Sequence, residues 1–431
     1  MSLYLKNATW IDWESLEFTK THLRVDEGDA GLAFVDTVPA SLETKGSGEQ
    51  VIDCTGRYVT KSFACGHHHI YSALARGMPA PAAAPKNFHE ILKYVWWVLD
   101  RSLTGNMIRA SALVTALYCL KNGVTFVIDH HSSPLAAAGS LGIIAEALEE
   151  AGLSHLLCLE LSDRDGTEAA EAGLEETEVF LEKHQGLVGL HASFTVGDAL
   201  LNRAVSLAQK FGTGIHVHAA EDGVDEEHCL RDYGVRVMER YRDRGLLDLE
   251  KSIFAHCIHL SEEERNLVTA SPAWVVQTPE SNLNNAVGIL NGRGLKRLMF
   301  GTDGMHSDML RTAKTAFFLA SQSGGGLSPP DAYLRFRNVH RYLAESGFSG
   351  DGDNNLVILK YDSPTPFCRD NFAGHFVYGL EARHVESVIS GGRLVMDRGR
   401  VLTVNEEEVL AEAGEQAAAL WKRMSGGRKS H

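Results

Sequence analysis

The chain has 431 residues, 44% hydrophobic and 23% charged, and its 56 acidic against 41 basic side chains leave a formal charge of -15 at pH 7. That acid excess, with no basic patch, argues against nucleic acid and anionic membranes as partners, and no apolar run nears the ~18 residues that span a bilayer. Seven cysteines without CxxC spacing, and acids at Asp12, Glu14 and Glu17 where a secretory leader is apolar, predict reduced thiols in a cytoplasmic protein.

In chain order, residues 2–11, 32–38 and 50–53 read as short strands broken by glycine and polar clusters. The same texture returns over 355–403, so residues 1–57 and 355–431 are expected to build one small β-sandwich domain from both termini. It ends in a helix over 405–424, striped by Val409, Ala413, Ala417 and Leu420, and a frayed tail over 425–431. Between these ends, eight apolar runs over 58–65, 124–129, 155–161, 187–191, 214–218, 253–256, 274–278 and 297–301 alternate with helical stretches such as 104–121, 134–150, 198–210, 225–242 and 308–321. Such alternation predicts an α/β fold, a (β/α)8 TIM barrel over 58–354. Residues 73–103 are too long for a plain connection and carry a helix near 88–101, so they are expected to cover the barrel mouth as a lid.

The chemistry of such a barrel sits at the C-terminal ends of its strands. Here those ends carry His67-His68-His69, Asp129-His130-His131, Glu160, His191, His218 with Glu221 beyond, His256, Glu280-Ser281-Asn282 and Asp303. His67 and His69 lie two apart, so on an extended segment both rings face one side and can share a metal; alone, the pattern is more often a solubilising or loop cluster. His218 is nearer its strand end than His216, which is expected to be a buried, satisfied histidine. Asp303 stands where a fourth ligand completes the set, although turns also use acids there. Three histidines and a carboxylate suit Zn, Fe or a similar divalent ion and leave a place for water, whose pKa then falls towards ~7. Glu221 is placed to move protons and His256 to donate to the attacking oxygen, while His191 either contacts substrate or caps the next turn.

With these residues in hand, the chain resembles the amidohydrolase superfamily, in its mononuclear aminohydrolase branch of cytosine, guanine, pterin and triazine deaminases. The resemblance rests on His67 and His69 with Tyr71 and Ala75-Arg76-Gly77, on His191-Ala192-Ser193-Phe194, His218-Ala219-Ala220-Glu221, Ala255-His256-Cys257 and Gly301-Thr302-Asp303, in the family's order along nearly the whole chain. Among its subgroups the chain is most similar to the SsnA-type aminohydrolases, through the stretches 78–81, 94–100, 127–131, 162–166 and 279–288.

The resemblance implies one divalent ion per chain, Zn with Fe as the alternative, held by His67, His69, His218 and Asp303. It further implies that Glu221 protonates a ring nitrogen and then the leaving group, that Asp303 takes a proton from the water, and that His256 steadies the oxygen. The implied reaction is hydrolytic deamination of an N-heterocycle, a purine or pterin, with Arg76, Arg164, His191 and Asn282 as substrate contacts and a homodimer or larger assembly as the family's expected state. Two departures stand out. Lys61-Ser62 replaces the Pro-Gly of most members, and 187–193 lacks the lysine that binuclear members carboxylate, so a single ion is expected. His68, His130 and His131 are extra imidazoles available as outer partners or alternative ligands. The rival readings are a related hydrolase releasing chloride, an alkylamine or a ring-opened amide, and a barrel without catalysis acting as a scaffold, which the full ligand set disfavours.

Overall fold

Eight parallel strands, Phe63–His68, Val124–His131, Ser154–Leu161, Val188–Leu190, Ile215–Ala219, Ile253–His256, Trp274–Gln277 and Leu298–Phe300, lie side by side in chain order in the computed structural model, which describes residues 2–28, 31–38 and 50–426. The last strand returns to the first: the Thr302 and Asp303 N–H groups both donate to the His67 carbonyl at 3.0 Å. The barrel therefore closes at the residues expected to do chemistry.

Both faces of each strand are buried, which is why the strands read as continuous apolar runs. The period of two still sorts them. Phe126 and Ile128, Leu156 and Cys158, and Val276 and Met299 fill one inner cluster, whereas Val127, Leu157, Leu159 and Val275 pack outward against helices. Carried on to the strand ends, the inward register of Ile128 and Cys158 delivers Glu160 to the mouth and keeps His130 inside the barrel beneath it.

The terminal strands form one nine-stranded sheet running Arg400–Val401, Arg393–Asp397, Val385–Ser390, Leu356–Leu359, Tyr58–Lys61, Ser2–Ile11, Phe18–Asp26 and Leu32–Val35, with Gln50–Asp53 beside Ser2–Ile11. Leu356, Ile358 and Val59 face its own core with Leu5, Leu23 and Val25, while Val357 and Leu359 join the large core shared with the barrel helices. The helix Glu406–Gly426 lies on the barrel rather than on this sheet, through Trp421 Nε1–H to the Leu74 carbonyl (2.9 Å) and Val409, Ala413 and Leu420 in the shared core. The tail from 427 onward lies outside the described residues.

Two expectations need correction, and one strand was missed. The run 58–65 is two strands, not one: Tyr58–Lys61 belongs to the terminal sheet and Phe63–His68 to the barrel, with the switch at Ser62, whose N–H donates to the Asn355 carbonyl at 3.0 Å. Helix 225–242 is two helices, Gly223–Tyr233 and Val237–Asp243, because Gly234 ends the first in a left-handed cap at φ 74°. The strand Phe18–Asp26 went unread because only Leu23 and Val25 of its nine residues are buried, too few to show an alternation.

Among the described residues no single helix is long and apolar enough to cross a membrane.

Candidate active site

His69 Nδ1 lies 2.6 Å from the His130 carbonyl and His218 Nδ1 lies 2.9 Å from that of His191. A carbonyl only accepts, so both rings carry a hydrogen on Nδ1, and in the neutral form of each ring Nε2 is a lone pair. Those two Nε2 atoms face each other at 3.1 Å, an arrangement that repels unless a cation lies between them. His67 Nε2 is buried without a hydrogen-bond partner, and Asp303 Oδ1 lies 3.9 Å from it and 3.2 Å from His69 Nε2. Zinc held by nitrogens at about 2.0–2.1 Å in a tetrahedron sets them roughly 3.3 Å apart, so this donor set fits one divalent ion. Burial, reinforced by the neighbouring imidazoles, holds His67 and His218 well below the usual histidine range, which keeps them neutral and able to ligate. Burial pushes the Asp303 carboxyl up, but His69, His256 and hydrogen bonds from Ser281 and the Gly304 N–H outweigh it, so its pKa is lowered.

Glu221 leaves the fifth strand through Ala220, whose backbone is left-handed at φ 47° and whose N–H donates to Asp225 Oδ2 at 2.9 Å. The other Asp225 oxygen accepts the Phe194 N–H at 3.1 Å, so one buried carboxylate ties the loops after the fourth and fifth strands together. Glu221 Oε2 then lies 3.4 Å from His256 Nε2, and His256 Nε2 lies 3.9 Å from Asp303 Oδ2. Burial, with Asp303 adding to it, raises the Glu221 carboxyl well above the usual range, which favours its protonated form. Burial lowers His256 to about 4, so that ring is neutral. The Asn282 side-chain N–H donates to His256 Nδ1 at 2.9 Å, which places the ring hydrogen on Nε2, between Glu221 and Asp303. Ala220, His256, Cys257 and Asp303 are half of the eight described non-glycine residues with positive φ. Strain of this kind collects where side chains must be aimed.

Above these groups opens a cleft lined by aromatic and polar side chains, the kind of concave site that takes a small molecule. Its roof is the segment expected as a lid. Helix Phe88–Ile91, a π-helical turn over Leu92–Trp96 and helix Trp97–Asp100 bring Phe88, Leu92, Trp96, Trp97 and Asp100 to the cleft, and Phe88 and Leu92 pack on Val287 beyond the seventh strand. On one wall Arg164 is ion-paired with Asp100, with Glu160 at 3.2 Å and with Asp165 at 3.1 Å, while its guanidinium stands 5.3 Å from the Trp97 ring. Asp100 Oδ1 and Arg164 Nη1 are left buried without partners, an acceptor and a donor at the same wall. Burial pushes the Asp100 carboxyl up to about 6.

The structure thus gathers His67, His69, His218, Asp303, Glu221 and His256 at one point, and brings Arg164 and His191 to the cleft above them. His191 Nδ1 also lies 2.5 Å from Thr195 Oγ1 in the next turn. Two expected substrate contacts fall elsewhere. Arg76 stands outside the cleft lining with its guanidinium 4.5 Å from the Tyr118 ring, because the 3-10 turn Ile70–Ala75 carries it towards helix Gly105–Lys121. Asn282 is buried behind His256 and orients that ring rather than reaching the cleft. Of the extra imidazoles, His68 turns to Ser307 at 3.1 Å and His131 to Ser133 at 2.8 Å, while His130 Nε2 meets the Leu190 carbonyl at 3.1 Å inside the barrel. Asp100 and Trp97 went unread. Their signal was weak, since a lid helix shows only an ordinary amphipathic pattern until its partners are known.

The sequence matches the family described as Amidohydrolase family over residues 58–336. It is 28% identical to a 5-methylthioadenosine/S-adenosylhomocysteine deaminase of Desulforudis audaxviator, covering 97% of this chain and 99% of that one. It is 27% identical to a 5'-deoxyadenosine deaminase of Methanothermobacter thermautotrophicus, covering 87% and 90%. The fold superposes on a zinc-bound adenosine deaminase from Xanthomonas campestris with a TM-score of 0.81 at 19% identity, covering 97% and 98%.

Proposed function

The chain belongs to the amidohydrolase family, and from that premise we propose that it hydrolytically deaminates an N-heterocycle, using one divalent ion held by His67, His69, His218 and Asp303. Zinc is our choice of ion, supported by the nitrogen-rich donor set and by the zinc of the Xanthomonas campestris structure. The names of the two sequence relatives make amino-purines, with or without their sugar, the first substrate class to try.

The observation that carries the reading is Glu221 at the floor of the cleft, a carboxyl whose pKa burial raises, 3.4 Å from a neutral His256 and close to an ionised Asp303. An amine is a poor leaving group until it is protonated, whereas chloride needs no proton, so a standing acid favours deamination over dehalogenation. When bound, the ion lowers the pKa of a water towards ~7 and so supplies the nucleophile. Glu221 gives its proton to the ring nitrogen next to the attacked carbon, which makes that carbon electrophilic. Asp303 accepts a proton from the attacking water, and the Nε2–H of His256 donates to the oxygen as it adds. Glu221, now ionised, takes the hydroxyl proton of the adduct as its carbonyl forms and passes it to the amino group, the C–N bond breaks to release ammonia, and the proton held on Asp303 returns to Glu221. Trp97 and the lid exclude bulk water, and Asp100, Arg164 and His191 line the wall that reads the substrate's edge.

The test is ammonia release from a panel of amino-purines, their nucleosides, pterins, pyrimidines and triazines, on protein whose metal content is measured in the same sample. Release with about one ion per chain supports the reading. Full occupancy without ammonia from any member moves the assignment to the hydrolases that expel chloride or an alkylamine.

A further inference from the structure

His67 differs from the other two histidines of the cradle in one respect. The hydrogens of His69 and His218 are fixed by main-chain carbonyls, but His67 Nδ1 meets another histidine, His216 Nε2, at 2.9 Å. Two imidazoles can share one hydrogen in either direction, so that contact alone leaves the state of His67 open. If its hydrogen sat on Nε2 it would point into the cradle and block ligation.

The remaining contacts of His216 settle the direction. Its Nδ1 lies 3.8 Å from Cys158 Sγ, and Cys158 Sγ lies 3.4 Å from the main-chain carbonyl of Asp129. That carbonyl only accepts, so the thiol hydrogen points to it; burial pushes the Cys158 thiol well above its usual range and keeps it there. The sulfur is then free to accept from His216 Nδ1–H, His216 Nε2 becomes a lone pair, and the hydrogen between the two rings belongs to His67 Nδ1. All four residues are fully buried, so no solvent competes for these contacts.

We propose that His216 is a positioning residue: the relay from His67 through His216 and Cys158 to the Asp129 carbonyl keeps the hydrogen of His67 on Nδ1 and its Nε2 lone pair facing the cradle. The inference rests on the metal reading above and goes beyond it, since a histidine expected only to be a satisfied core residue becomes part of what makes the first ligand competent. Outer partners of this kind change metal affinity by roughly 10–100-fold when removed.

The test compares wild type, His216→Met, which fills the space but offers His67 only a weakly accepting thioether, and His216→Gln, whose side-chain oxygen can take the place of Nε2. Zinc affinity is measured by competition with a chromophoric chelator on apo protein checked for folding by circular dichroism, and the ligand field by the visible spectrum of the cobalt-substituted forms. His216→Met is expected to bind zinc 10–100-fold more weakly with an altered cobalt spectrum, and His216→Gln to stay within about threefold of wild type. Equal affinity of wild type and His216→Met, or a Gln variant as weak as Met, overturns the inference while leaving the metal reading intact. A wild-type chain with no zinc affinity overturns the metal reading itself. Should His216→Met not fold, long-range 1H–15N correlations on histidine-labelled wild-type apo protein decide the matter. They are expected to show the His67 hydrogen on Nδ1, and finding it on Nε2 refutes the relay.

Discussion

Glu221 and Asp303 are carboxylates in one pocket, yet their surroundings push them apart. Burial and the nearby Asp303 charge raise the first well above its usual range, whereas His69, His256 and two hydrogen-bond donors overcome burial at the second and lower it. A pair separated in this way divides into an acid and a base. The signs give a bell-shaped pH dependence of kcat/KM: the base form of Asp303 is lost as pH falls through its depressed pKa, and the acid form of Glu221 is lost as pH rises through its raised one. Glu221→Gln should keep its metal, read by elemental analysis, and lower turnover by about 10²–10⁴-fold across the range. Undiminished turnover removes Glu221 from the mechanism. Asp303→Ala should lower metal content and rate together, and a variant with wild-type metal and rate would show that the fourth ligand lies elsewhere.

At the scale of elements, the seam between the last and first barrel strands holds the cradle together. A Cβ on Gly301 would stand 2.7 Å from the His67 nitrogen and Cβ and 2.8 Å from its carbonyl oxygen, closer than real contacts allow. Gly301→Ala must therefore push His67 away from Asp303. We expect roughly 1–3 kcal/mol of lost stability by thermal unfolding and weaker zinc binding by chelator competition. Unchanged binding would mean that the seam tolerates the shift and that ligand placement does not depend on it. The seam also shows what the sequence could and could not convey. Strand ends in a parallel barrel all open on one face, so polar residues that follow apolar runs were legible as a site: His67, His218, His256 and Asp303 come together as expected. What stayed hidden depends on pairing between distant segments: the left-handed turns at Ala220 and His256, the route that carries Arg76 away from the cleft, and the packing of Asn282 behind a ring.

For the whole molecule, the break at Lys61-Ser62, which departs from the Pro-Gly of the resembling family, is where the terminal sheet hands the chain to the strand carrying His67. Periodicity cannot show such a handover, because Tyr58–Lys61 and Phe63–His68 follow one another with only Ser62 between them and are told apart by their pairing partners. Four side chains and three main-chain carbonyls fasten it. Lys61 Nζ donates to the carbonyls of Asp351 (3.0 Å) and Gly352 (2.9 Å) and lies 3.3 Å from Asp351 Oδ1. His340 Nδ1 donates to Asp351 Oδ2 at 2.7 Å, and Arg337 Nη1 donates to the Ser62 carbonyl at 2.6 Å. Burial pushes the Asp351 carboxyl up, but His340 and Lys61 outweigh it and lower its pKa below 3.8. An acid depressed on folding stabilises above its unfolded pKa of about 3.9 and loses that contribution as pH falls through the folded value. Lys61→Met leaves Asp351 buried with a neutral histidine as its remaining side-chain partner, so it should cost about 3–5 kcal/mol at pH 7. Thermal unfolding of both proteins from pH 7 down to about 3 should show the gap narrowing once Asp351 is protonated in each state. A gap independent of pH would assign Lys61's effect to its two carbonyl hydrogen bonds instead, and would leave the ligand strand anchored by neutral contacts.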